Sequence, residues 1–243
     1  MYGKYIVLIT GANRGIGYGL AKKLARDHPD YHVIIGSRDA NQGMEAASSL
    51  SSEGITVSSL RLDVTSDESI SAARSFVQQK YGRLDVLVNN AGVALDLKEK
   101  GTPIRELMQR TFDINVFGAA AVTDAFIPLL EKSSNPRLVF TSSSVGSLTR
   151  ASDLANPWSK APIPAYRTSK AALNMLMLFY ASSLNEKGFK VNASCPGYIG
   201  TNLNDHRGTG SIEDGAVNLA RLATLEKNGE TGTFSTTEEV RPW

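Results

Sequence analysis

The chain has 243 residues, 42% of them hydrophobic and 21% charged, with a formal net charge of +2. That composition suits a soluble globular protein with its own core, and the absence of a basic stripe or acidic tail sets aside nucleic acid and membranes as partners. Cys195 is the only cysteine, so no internal disulfide can form, which agrees with a reducing, cytoplasmic setting.

Met1-Tyr2-Gly3-Lys4 lead straight into a strand-like run and lack a signal-peptide profile. No apolar run approaches transmembrane length. His28, His32 and His206 lack metal-ligand spacing, so no metal site is expected. The Asn192-Ala193-Ser194 sequon falls in a strand-like segment and is expected to be idle.

Short apolar runs alternate with longer amphipathic ones. Residues 5–10 read as a buried strand ending in a glycine-rich turn, and residues 16–27 have helical spacing up to His28-Pro29. A second strand at 33–35 precedes a helix at 41–53 that Gly54 terminates. A third strand at 55–62 precedes a helix at 66–81, N-capped by Ser66 and ended by Gly82. Residues 84–88 form a fourth strand, apolar enough to be covered on both faces. A long helix is expected over 102–130, with Pro103 in its first turn and Pro128 bending its far end. Residues 137–141 are a fifth strand, 144–165 are irregular, and a second long helix runs over 165–187 to Gly188. A strand at 191–194, a helix at 211–227 and a strand at 231–235 complete the pattern. This alternation predicts an α/β fold in which residues 1–243 form one doubly wound Rossmann-type parallel sheet with helices on both faces. Ligands of such sheets lie beyond the carboxyl ends of the strands, and every motif falls at such an end.

Thr10-Gly11-Ala12-Asn13-Arg14-Gly15-Ile16-Gly17 joins the first strand to the first helix. Glycine lets the backbone turn tightly and approach a pyrophosphate, and a helix N-terminus attracts the anion. The spacing is G-x-x-x-G-x-G, not the commoner G-x-G-x-x-G. An NAD-preferring site usually has an acid at the end of the second strand. Here Ser37 and Arg38 stand there, a hydroxyl and a guanidinium suited to a 2′-phosphate, with Arg14 as a second clamp. Asp39, one step later, is the residue that would overturn this reading. Tyr166 and Lys170 lie four apart, on one helix face, and a nearby ammonium favours phenolate. The spacing alone equally describes an exposed helix pair, and Tyr18 with Lys22 repeats it.

In this order the residues resemble the compact single-domain branch of the short-chain dehydrogenase/reductase family, over essentially the whole chain. The resemblance implies that Gly11, Asn13, Arg14, Gly15, Ile16 and Gly17 form the cofactor turn. Asp63 and Val64 would contact adenine, and Asn89-Asn90-Ala91-Gly92 would stabilise the central sheet beside the cofactor. Asn115 matches a structural and catalytic asparagine, and Thr141-Ser142-Ser143-Ser144-Val145-Gly146 the catalytic-serine segment. Tyr166 and Lys170 match the family's tyrosine and lysine, which leaves Tyr18 and Lys22 as a chance copy. Pro196, Gly197, Ile199 and Thr201 match the nicotinamide-side loop. Asn13-Arg14, Ser37-Arg38-Asp39 and the ending Val240-Arg241-Pro242-Trp243 resemble, more narrowly, NADPH-dependent carbonyl reductases and their fungal and insect relatives.

The implied chemistry is hydride transfer from NADPH to a carbonyl, with Ser143 and Tyr166 holding the oxygen and Tyr166 donating the proton. Lys170 would lower the Tyr166 pKa and hold the ribose, and Asn115 would position a water leading from Lys170 to solvent. Counting back from Gly146 selects Ser143, with Ser142 as the alternative. Thr201 and the Ile199 backbone would meet the carboxamide, and Cys195 has no assigned role. The segment between Ser143 and Tyr166 is long for this branch, and such loops carry specificity. Leu148, Leu154, Trp158 and Ile163, with Val93, Leu95, Tyr198 and Leu203, are expected to wall an apolar pocket for a hydrophobic ketone, aldehyde or quinone. Ala119-Ala120-Ala121, Met175, Met177 and Phe179 suit a homodimer or homotetramer interface, or equally a monomer core. Two rivals stand beside the reductase: a non-catalytic NADP-binding sensor, and an alcohol dehydrogenase working oxidatively.

Overall fold

The structure is a computed structural model that describes residues 4–243; Met1, Tyr2 and Gly3, read as the lead-in to the first strand, lie outside the described residues. Its strands are β1 (Tyr5–Thr10), β2 (Tyr31–Ser37), β3 (Ser58–Arg61), β4 (Val86–Asn89), β5 (Arg137–Thr141), β6 (Lys190–Ser194) and β7 (Thr233–Ser235). They form one seven-stranded sheet in the order β3-β2-β1-β4-β5-β6-β7. Every pairing is parallel. The helices are α1 (Gly15–Asp27), α2 (Ala40–Ser52), α3 (Asp67–Tyr81), α4 (Ile104–Phe112), α5 (Ala119–Leu130), α6 (Leu148–Ser152), α7 (Pro164–Ser183) and α8 (Ile212–Ala223).

Strand side chains alternate between faces, so two cores result. Ile6, Leu8, Ile34, Leu87, Leu138 and Phe140 join α3, α5 and α7 on one face. Val7, Ile9, Val33, Ile35, Val86 and Val139 join α1, α2 and α8 on the other. The strand order reverses between β1 and β4, and the chain ends of both open on the same edge. That edge is where the motif loops gather.

Several elements differ from the sequence expectation. The third strand is shorter, because it is an edge strand with β2 as its sole partner. Pro103 stands just before α4 as its N-cap, not inside the first turn. The long helix is continuous over Ile104–Leu130 but is widened to a π-helix at Asp113–Gly118. Gly118 ends this segment, and a Cβ there would lie 2.7 Å from the Val64 carbonyl oxygen, so the helix is pressed onto the loop after β3. Contrary to expectation, this run is long and apolar enough to cross a membrane by length and composition alone. It is instead a core helix, with Val122, Phe126 and Leu130 fully buried against the sheet. Residues 144–165 contain the short helix α6, and α7 ends at Ser183 with a tighter turn over Asn185–Lys187 before Gly188. Asn192 of the sequon is buried in β6, its amide donating to the Glu230 carbonyl at 2.9 Å.

Candidate active site

The turn after β1 is shaped by close approach. Gly11 and Gly15 take left-handed φ values of 61° and 59°. A Cβ on Gly17 would stand 2.5 Å from the Asn90 amide nitrogen and 2.9 Å from Ala12 Cα. Thr10 Oγ1 accepts from the Asn90 and Ala91 backbone amides at 2.9 Å each, and the Asn90 side chain donates to the Thr10 and Gly11 carbonyls at 2.9 and 3.2 Å. Asn13 is braced to Gln42 at 2.9 Å. Helices α2, α3 and α8 begin with side-chain caps from Asp39, Ser66 and Ser211. Helix α1 begins at Arg14 with no side-chain cap and no acid in its first turn. Its first amides therefore keep their donors for an anion, and these residues fit the pyrophosphate of a dinucleotide.

At the end of β2 the expected clamp is divided. Ser37 is 1% exposed and its hydroxyl donates to the Asp39 carbonyl at 2.7 Å. That spends the donor a 2′-phosphate would need, so Ser37 stays out of the groove. Arg14 and Arg38 are exposed, and among the described residues neither is held in an ion pair. Asp39 Oδ1 accepts from the Asn41 and Gln42 amides at 2.8 and 3.2 Å, which turns that carboxylate onto the start of α2. Asp63 accepts from the Thr65 amide and hydroxyl at 3.0 and 2.8 Å beside the buried Val64.

Tyr166 occupies the first turn of α7. Asp96 seats it: the carboxylate accepts from the Ala165 and Tyr166 backbone amides at 3.1 and 2.8 Å. Asp96 is 6% exposed. Sequence reading missed this residue, which lies about 70 positions from its partners and matches no local capping signature. Ser143 stands beside the Tyr166 hydroxyl and eases its ionisation. Ser142 faces the other way, fully buried, with its hydroxyl on Asn174 Oδ1 at 2.5 Å. Of the two candidate serines, only Ser143 meets the tyrosine.

Lys170 is 3% exposed and donates to the Thr141 carbonyl at 2.8 Å. Gly92 leaves room for its Nζ, which would lie 3.5 Å from a Cβ there. Asn115, in the π segment, is 1% exposed. Its Oδ1 accepts from the Val93 amide at 2.8 Å, and its Nδ2 donates to the Val93 carbonyl and Ser169 Oγ at 2.9 and 3.0 Å. Both amide hydrogens are thus engaged in protein bonds, and a water held by Asn115 must use its backbone or the remaining Oδ1 lone pair.

The electrostatics differ from the expected lysine effect. Burial pushes the Tyr166 phenol well above its ordinary range, the neighbouring Cys195 adds to the rise, and Ser143 opposes it. The Lys170 Nζ stands 5.6 Å from the tyrosine ring centroid and is turned toward Thr141. Burial holds the Lys170 ammonium down at about 8, with Cys195 opposing. The phenol is therefore kept protonated, a donor rather than a base. The second tyrosine–lysine copy is a surface brace: Tyr18 bonds Ser49 at 3.1 Å and Lys22 pairs with Glu53 at 2.5 Å.

The loop after β6 turns at Gly197, with φ 91°. It follows the buried Cys195, whose Sγ accepts from the Ser144 amide and hydroxyl at 3.2 and 3.0 Å, and Pro196 is half-buried. Thr201 reaches over the glycine turn, its methyl 3.6 Å from where a Gly15 Cβ would be. Its Oγ1 accepts from the Leu203 amide at 3.3 Å and keeps its own hydrogen free. The Ile199 carbonyl is already taken by the Asn204 amide at 2.9 Å.

A cavity of about 210 Å³ opens beside Ser143. Of the eight expected apolar wall residues, only Trp158 and Tyr198 line it, their rings 5.7 Å apart. Leu148 is 70% exposed on α6, and Leu154, in the turn after that helix, is 78% exposed. The remaining wall includes Arg150 and Arg167.

A model of the short chain dehydrogenase family matches residues 5–211. The short-chain dehydrogenase/reductase ATR10 of Stachybotrys chlorohalonatus is 40% identical over 248 residues, spanning 96% of this chain and 88% of its own. NADPH carbonyl reductase 1 of Rattus norvegicus is 31% identical over 273 residues, 98% of each chain. Among solved structures, the NADPH-bound carbonyl reductase from chicken fatty liver superposes with a TM-score of 0.85 at 29% identity over 99% of both chains. Salutaridine reductase from Papaver somniferum gives 0.83 at 29% identity, over 95% of this chain and 99% of its own.

Proposed function

The chain belongs to the short-chain dehydrogenase/reductase family of oxidoreductases, and from that premise we propose that it is an NADP(H)-dependent enzyme reducing a ketone, aldehyde or quinone to an alcohol. The observation that carries the reading is Ser143 standing beside the Tyr166 hydroxyl, with Lys170 buried one helical turn on. Bound NADPH supplies the hydride. As charge grows on the carbonyl oxygen, the hydroxyls of Ser143 and Tyr166 stabilise it. Tyr166 then delivers its proton, and Lys170, ionised below about 8, stabilises the phenolate left behind. A pure sensor has no need of this arrangement.

Arg38 and Arg14 would hold the 2′-phosphate, and the open amides of α1 the pyrophosphate. Two relatives described with NADPH, from rat and chicken, support that cofactor. We further propose a homodimer or homotetramer through the outer face of α5 and α7. Met175 and Phe179 on α7 are 67% and 61% exposed and Phe117, in the π segment just before α5, is 58% exposed, whereas Met177 belongs to the monomer's own core. The buried lone Cys195 suits a cytoplasmic enzyme. The test is NADPH oxidation, followed by absorbance, with a panel of aldehydes, ketones and quinones. Stoichiometric alcohol formation is expected, and no turnover across the panel would refute the reading.

A further inference from the structure

We propose that the cavity beside Ser143 is an anion site, and that the substrate is an aromatic carbonyl compound bearing a carboxylate. The word substrate rests on the reductase reading above; the anion site does not. Three arginines, Arg150, Arg167 and Arg241, line the cavity, and no aspartate or glutamate does. Arg241 is neutralised by Glu239. Arg150 and Arg167 have no carboxylate partner among the described residues.

Arg167 is held in place. Its Nη1 donates to the Ser159 carbonyl at 2.5 Å and its Nε to the Val145 carbonyl at 3.3 Å. Carbonyls fix the guanidinium without cancelling its charge, and Nη2 keeps both hydrogens. The Arg150 side chain is half-buried and makes no hydrogen bond among the described residues. Two cations without a carboxylate partner line one cavity, and a cleft lined by one sign of charge draws an anion in. Planar guanidinium suits a planar carboxylate. Trp158 and Tyr198 supply ring faces for a flat apolar body. Ser143 shares the wall, so the carbonyl and the anion of one molecule can be met together. The reaction balances as an ordinary reduction: hydride from NADPH to carbon, proton from Tyr166 to oxygen, and the carboxylate unchanged.

The experiment has two arms. In the first, benzoate and benzamide are titrated into the protein while tryptophan fluorescence is read, with Trp158→Phe identifying the cavity's signal. Benzoate is expected to bind about 10-fold tighter than benzamide, with Arg150→Gln and Arg167→Gln each removing most of that difference. In the second, 4-formylbenzoate and its methyl ester are compared with NADPH. The acid's kcat/KM is expected to exceed the ester's by about 10-fold, and the ratio to collapse in Arg150→Gln, which breaks no internal hydrogen bond. Equal or ester-favouring turnover, or a ratio that survives the Arg150→Gln/Arg167→Gln double variant, overturns the anion site and leaves the reductase standing. Arginine-dependent benzoate binding without any NADPH oxidation sinks the reductase reading and keeps the anion site.

Discussion

Replacing Gly146 by alanine tests how the catalytic serine is placed. Gly146 closes the turn that carries Ser143 and packs directly on α7. A Cβ at this position would lie 2.8 Å from Lys170 C and Cβ and 2.9 Å from the Ala171 nitrogen. Two of these atoms are helix backbone and cannot rotate away. Carbon contacts become ordinary near ~3.5 Å, so the serine turn and α7 must part by about 0.7 Å. Overpacking of this kind costs about 1–3 kcal/mol, which lowers Tm by roughly 5 °C in a domain of this size. The same displacement draws Ser143 from Tyr166, and misplacements approaching 1 Å cost about 10- to 100-fold in kcat. Cofactor affinity should change far less, because the glycine turn after β1 is untouched. Thermal melting, steady-state kinetics and NADPH titration measure all three. A Tm and kcat matching the parent would refute the close approach, and a lowered Tm with unchanged kcat would show that Gly146 does not set the Ser143 position.

Arg38→Ala should reduce the preference for NADPH over NADH by about 10- to 100-fold, the worth of a charge-assisted contact; an intact preference contradicts the assignment of that end of β2. Ser143→Ala should lose about 100- to 1,000-fold in kcat. Ser142→Ala should keep turnover and lose about 1–2 kcal/mol of stability by stripping Asn174 of its partner; a reversed pattern exchanges the two serines. Lys170, held down at about 8 by burial, is ionised below that value and neutral above it. The kcat for reduction should therefore fall as pH rises through about 8, and a flat profile in that range excludes an ionised Lys170 from the rate-limiting step.

The sheet was legible because its strands are short, apolar and separated by helical periods, and each motif marks a strand end. The glycine turn and the Tyr166–Lys170 pair stand out by spacing, which reflects a turn and a helix face, whereas Asn90 and Asn115 are implied only by the family resemblance. What escaped depended on where side chains point. Ser37 is the last residue of β2 and turns inward, so its hydroxyl is spent on the Asp39 carbonyl. Asp96 acts on α7 across a distance no local pattern encodes. The apolar pocket was inferred from residue types, but α6 turns Leu148 outward and leaves guanidiniums on the wall. The lysine was expected to acidify the tyrosine from spacing alone, whereas burial dominates both groups.

The proton-donor role of Tyr166 is the centre of the account, and Tyr166→Phe tests it with the loss of one oxygen. With a carbonyl substrate found by the panel, single-turnover hydride transfer from NADPH should fall by about 100-fold or more, while NADPH still binds and the fold melts near the parent's Tm. Hydride transfer at the parent's rate would contradict the account.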